Sequence, residues 1–186
     1  MRLSENRTLA WIVAAVCIIG SVFGLSNASV AGDRQKAVQV FYDGTEKSAS
    51  TRHSMDRYLD DAAEAASVMA AEASLRLDSV RDTAEEVASL SETVSESEDL
   101  NARYEAYTKL KKDADILYNA MYAANLPANQ ITNFKTAYDD FFGADKFIQK
   151  DGYPALAVEF NQNLKGFPAN VITGIGGIEP LNTFGA

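Results

Sequence analysis

The sequence predicts an all-α protein: a single N-terminal transmembrane helix, an antiparallel bundle of long helices, and an apolar C-terminal tail, containing glycine and proline, packed on the bundle. Three observations predict it. Thr8 to Leu25, TLAWIVAAVCIIGSVFGL, contains no charge. Ser50 to Ala124 contains neither Gly nor Pro, a run hard to reconcile with a turn-rich β fold. Along that run apolar residues return at spacings of three and four, the period of one helix face.

Composition bounds the function. Of 17 basic and 26 acidic residues, Arg2, Arg7 and Glu5 precede residue 29, which leaves 15 and 25 for the remainder, a net of −10. So acidic a domain lacks the clustered Lys and Arg that phosphate contacts require, so nucleic acid is excluded as a partner. It should not spread on an anionic lipid surface either. The hydrophobic fraction of 47% is that of a folded chain. Cys17 is the only cysteine and lies inside the apolar run, so no disulfide or CxxC site can form within one chain. Val16 before it and Ile18-Ile19 after it do not fit a lipoprotein signal.

As a helix, Thr8–Leu25 would be about 27 Å long, close to the roughly 30 Å hydrocarbon core of a bilayer. Trp11 suits an interfacial anchor. Residues 1–32 are therefore read as a polar head and membrane anchor. A competing reading is a secretory signal cleaved after Ala28 or Ala31, but the apolar core exceeds the roughly 7–15 residues usual there. Arg2, Arg7 and the amino terminus balance Arg34 and Lys36 across the segment. The positive-inside rule thus leaves both orientations open, and the outside is the side adopted for the helical domain. Ala10, Ala14, Cys17, Ser21 and Gly24, continued by Ala28 and Ala31, form a small-residue face suited to pairing of membrane helices, hence to a homo-oligomer. The bland alternative is that about half this window is small in any register.

Residues 33–186 are read as the bundle domain, with helices at about 33–42, 51–94, 98–124, 128–149 and 154–165 and a tail over 166–186. Ala37, Val38 and Phe41 share a face before the stop signal Asp43-Gly44. Met55, Leu59, Ala62, Ala66, Met69 and Ala73 make a coiled-coil-like seam, continued through Leu77, Val80, Ala84 and Val87, so 51–94 reads as one long helix with a kink near Asp78. Ser95 with Glu98 resembles a capping box for the next helix. That helix carries Leu100, Tyr104, Tyr107, Ala114, Leu117 and Met121 on one face, with Lys111 intruding. Leu126-Pro127 bars continuation. Ile131, Phe134, Tyr138 and Phe141 open the following helix. Asp151 is read as the cap of the last, with Pro154 in its first turn.

The tail carries the most specific pattern. Phe160-Asn161, Phe167-Pro168-Ala169-Asn170-Val171-Ile172, Gly174, Gly177-Ile178, Pro180 and Phe184 resemble, without a gap, the C-terminal signature of the LemA family. The anchor followed directly by helices resembles that family too. The middle departs from it: Lys36-Ala37-Val38 stands where an Asn-x-Val pattern is usual, and no Ile-Pro is present. The resemblance implies a membrane helix joined to long antiparallel helices, association with the bacterial envelope, and no catalytic residues. Independently of it, Phe167, Val171, Ile172, Ile175, Ile178, Leu181 and Phe184 are too apolar to leave exposed, so the tail is expected to turn back and seal one end of the bundle.

No reaction chemistry emerges. His53 is the only histidine, and a lone His near a helix start is read as surface polar; no HExxH, P-loop or EF-hand spacing exists. Asp139, Asp140 and Asp145, or Asp60, Asp61 and Glu64, are the acidic groups that could gather a cation, against the plainer reading of solvated helix faces. No catalytic, cofactor or metal residue is therefore assigned. The function expected is a non-catalytic, membrane-anchored interaction or scaffold module with an unknown protein partner, in which Tyr104, Tyr107, Tyr118 and Tyr122 are candidate contacts and the first two fit core packing better. The alternative is an extracytoplasmic cation- or small-ligand-binding protein using acidic helix faces.

Overall fold

The computed structural model describes residues 7–45, 53–166, 169–170 and 178–185, and these are all-helical, without a strand among them. Six α-helices follow in order: α1 (Arg7–Asp43), α2 (Met55–Ser74), α3 (Arg81–Glu96), α4 (Leu100–Ala123), α5 (Ala128–Lys150) and α6 (Gly152–Asn163). Among the described residues no helix is long and apolar enough to cross a membrane. Within Thr8–Leu25 exposure is described only for Cys17, Ser21 and Gly24.

Packing divides the chain into two compact units. One comprises Met1–Val38 and Ala155–Leu181, the other Gln39–Pro154 and Asn182–Ala186. In the first, Ala157 and Phe160 of α6 are buried, as are Leu164 just after it and Leu181. The Asn161 amide grips the tail at both ends of one residue, donating to the Leu181 carbonyl at 2.7 Å and accepting from the Leu181 N–H at 2.8 Å. A carboxamide is one of the few side chains able to complete a backbone in this way.

The second unit is an up-down-up-down bundle of α2 to α5. Asp56 meets Arg103, so α2 and α4 start together. Glu72 meets Asn133, and Glu86 meets Lys109, so α5 runs against α2 and α3 against α4. The α2 seam is buried as the spacing predicts: Met55, Leu59, Ala62, Ala66, Met69 and Ala73 are nearly solvent-free. Ser54 caps α2, its hydroxyl accepting from the Arg57 N–H at 3.2 Å.

The expected 51–94 helix is two helices, not one with a kink. It stops at Ser74, passes through a 3-10 turn over Asp78–Val80 and doubles back as α3. No Gly or Pro forces this. A straight continuation would carry Ala84, Val87 and Val94 about 1.5 Å per residue away from the alanine seam; the reversal buries all three. The turn satisfies its own backbone. Leu77 N–H donates to the Ala73 carbonyl at 2.9 Å, and Arg76 donates to the Glu72 carbonyl at 2.8 Å. The expected Ser95/Glu98 capping box also gives way. Asp99 is the cap of α4, accepting from Asn101 N–H at 2.9 Å, and Ser97 in turn accepts from Asp99 N–H. The helix expected at 33–42 is not separate but the C-terminal part of α1, which runs unbroken from Arg7 to Asp43. Helices α4, α5 and α6 lie within two residues of the expected bounds, and Asp151 does cap α6, accepting from Tyr153 N–H at 2.8 Å.

One end of this unit is closed by aromatic rings. Phe184 is fully buried and meets Phe41, Tyr104, Tyr107 and Tyr153 at centroid distances of 5.6, 5.3, 6.4 and 6.2 Å. Such tilted and edge-on contacts add to the area each ring buries. Gly185, at φ +77°, lets the chain pass Gln149 so closely that a Cβ would lie 2.8 Å from its Cα.

Candidate functional site

Three places in the bundle unit gather polar or chemically distinctive side chains. The first lies beneath the aromatic end. Arg103 is almost wholly buried, pairs with Asp56 at 2.5 Å and Asp60 at 3.5 Å, and holds its guanidinium 5.3 Å above the Phe41 ring. Burial and the Asp56 charge raise the Asp60 pKa, against the pull of Arg103. The second lies between α4 and α5. Asp145 accepts from the Tyr107 hydroxyl at 2.5 Å and from Gln149 at 2.7 Å, and pairs with Lys111 at 2.7 Å. Burial, with the carboxylate as acceptor, holds the Tyr107 hydroxyl far above its ordinary range. The second resolves a sequence feature that looked irregular: Lys111 intrudes on the α4 face because Asp145 awaits it.

The third is an open groove of about 720 Å³ between α2 and α5. On α2 it is lined by Asp61, Glu64, Ala65 and Val68, a stripe at spacings of three, four and seven. On α5 the matching stripe is Asn133, Ala137, Asp140, Ala144 and Phe147, with Asp139 and Gly143 beside it. The alanines and Gly143 leave the floor low. Carboxylates stand along both rims. Asp61 is engaged by Arg57 at 3.1 Å, whereas Glu64, Asp139 and Asp140 have no ion-pair partner among the described residues. No Lys or Arg lines the groove. At one end Phe147, 56% exposed, stacks on Tyr58 at 5.2 Å, which stacks on His53 at 5.7 Å. Burial, then the charges of Asp151 and Asp61, raise the Tyr58 pKa.

The structure splits both acidic clusters singled out in sequence. Asp60 turns to Arg103 while Asp61 and Glu64 face the groove; Asp145 is buried at Lys111 while Asp139 and Asp140 face the groove. Halves of two clusters thus meet across two helices. Among the described residues no three His, Cys, Asp or Glu side chains are gathered closely enough to hold a metal ion. Of the four tyrosines, Tyr107 is core, Tyr104 lies edge-on to Phe184, Tyr118 stacks on Tyr138 at 3.9 Å, and Tyr122 is 68% exposed. Of the pairing face, Cys17, Ser21 and Gly24 are exposed, and the side chains of Ala10 and Ala14 lie outside those described. In the tail signature Phe160 and Phe184 are buried, Asn161 holds Leu181, and Asn170 and Pro180 are exposed; Phe167, Pro168, Gly174 and Gly177 lie outside the described residues.

Sequence reasoning missed the groove. Its signal was present as a second stripe on each helix, one residue off the core seam, where alanine alternates with Asp or Glu. No known family model, curated protein or solved structure matches the chain.

Proposed function

We propose that this chain is a membrane-anchored, non-catalytic helical interaction module, a divergent LemA-like protein of the cell envelope, which engages a partner protein through the α2–α5 groove. The observation that carries this reading is the groove itself: a long, low-floored trough with exposed Val68 and Phe147 and three carboxylates free of partners among the described residues. Exposed apolar side chains rimmed by polar groups are the make-up of an interaction surface. The anchor rests on the uncharged run Thr8–Leu25, all of it inside the single helix α1. The outside is the side assigned to the bundle. The polar networks around Arg103 and Asp145 support a structural role, because both side chains are buried in the bundle.

The second reading, a site for a small cation, is favoured only by the shared acidic rim of the groove. The absence of any metal-spaced cluster among the described residues speaks against it. Site-specific photocrosslinking of the full chain in intact membranes separates them. A crosslinker at Val68 or Asp140 should give one discrete protein adduct, and one at exposed Glu92 or Glu105 should not. Equal adducts at all four positions, or none at the groove, would remove the interaction reading.

A further inference from the structure

We infer that the α2–α5 groove receives a cationic amphipathic helix of the partner protein, a conclusion that rests on the interaction reading above. Three independent features define the occupant. The first is length and shape. The α5 stripe from Asn133 to Phe147 covers fourteen helical rises of about 1.5 Å, about 21 Å or four turns. A straight trough flanked by two antiparallel helices is the shape a third helix fills.

The second is Gly143. It stands in the interior of α5, where glycine costs about 1 kcal/mol relative to alanine. Nothing inside the protein demands it, since a Cβ built there meets no atom within 4 Å. Its lack of a side chain instead keeps the groove floor open at the level of Asp139 and Asp140. Small residues of this kind let a second helix backbone approach closely.

The third is charge. Glu64 on one rim and Asp139 and Asp140 on the other carry negative charge with no basic residue between them. Lys or Arg side chains from an incoming helix would lay their methylene stems on Ala65, Val68 and Ala144 and place their charges at these carboxylates. Exposed Phe147 and its stacked neighbours Tyr58 and His53 offer an apolar and cation-binding surface at one end. The occupant is therefore a helix with Lys or Arg at spacings of three and four beside apolar residues.

The test uses the full chain in detergent and a fluorescent fourteen-residue helical peptide built from Lys, Leu and Ala. A charge-reversed peptide with Glu for Lys and the polyamine spermine serve as comparisons. Anisotropy should show binding of the Lys peptide alone, weakening several-fold as NaCl rises from about 0.05 to 0.5 M. The triple variant Glu64→Gln, Asp139→Asn, Asp140→Asn should bind at least tenfold more weakly. A control that neutralises Glu92, Glu96 and Glu105 to Gln should bind as the parent does. Gly143→Trp, which fills the groove without altering charge, should abolish binding while the circular dichroism melt is retained. Binding unaffected by either groove variant, equal binding of the Glu peptide, or displacement by stoichiometric spermine would overturn the inference. If the groove crosslinks a partner in membranes while the Lys peptide fails to bind, the interaction reading stands and the cationic occupant is rejected.

Discussion

The buried charges follow two opposite rules at the scale of single residues. Arg103 is held by attraction: Asp56 and Asp60 face it and Phe41 lies beneath it. Removing a buried charge strands its partners at a cost of about 3–5 kcal/mol in dry interiors. Both aspartates here are partly hydrated, so the screened loss is smaller. Arg103→Met should destabilise by about 2 kcal/mol in urea unfolding, and a midpoint unchanged from the parent would contradict the assignment. Asp113 is held by no such partner. It is buried on α4, and among the described residues its Oδ2 finds no hydrogen-bond donor. Burial raises its pKa, the Glu86 charge adds to this, and Lys109 and Lys112 pull the other way. A carboxyl whose folded pKa is raised binds its proton more tightly in the folded state. Its contribution is therefore favourable in acid and is lost as pH climbs through the raised value. Asp113→Asn should accordingly raise the unfolding midpoint at pH 7 and leave it unchanged near pH 3. A stabilisation of equal size at both pH values would show that charge is not the cause.

Turns and tails decide the outcome among the elements. The core seam of α2 and the faces of α4 and α5 were legible because burial writes a period of three and four into the sequence. The reversal between α2 and α3 was not, since Leu75-Arg76-Leu77 contains no breaker and helix propensity favours continuation there. Tertiary packing of alanine on alanine overrides that local preference. The capping shift from Ser95 to Asp99 has the same character: several residues of one short stretch can cap, and only the packed register selects among them. The tail was legible in outline because its apolar residues needed cover. Its hold depends on Gly185, where positive φ and the 2.8 Å approach to Gln149 leave no room for a side chain. Gly185→Ala should therefore dislodge Phe184 and cost about 3–5 kcal/mol, the range for emptying an aromatic core site. Phe184→Ala should cost as much, and a thermal melt insensitive to both would show that the tail does not seal the bundle. Gly143 makes the converse prediction. With open space before it, Gly143→Ala should stabilise the unliganded protein by about 0.5–1 kcal/mol, and a loss of stability would mean that the space is already occupied.

The whole molecule joins an apolar N-terminal run, carried within α1, to an acidic helical bundle with an acid-rimmed groove between α2 and α5. The acidic residues prominent in sequence turned out to serve two purposes, Asp60 and Asp145 inside and Asp61, Glu64, Asp139 and Asp140 outside. Sequence spacing alone could not divide them, because adjacent helical residues lie about 100° apart and which of them turns inward is fixed only by the core face. The groove became visible when two helices distant in sequence were brought side by side. Its use as a docking surface is the central claim, and hydrogen exchange of the full chain tests it most directly. Backbone amides should exchange more slowly in native membranes than in the purified protein, with the added protection confined to Asp61–Val68 of α2 and Asn133–Phe147 of α5. Protection centred on α3 and α4, or none at all, would contradict it.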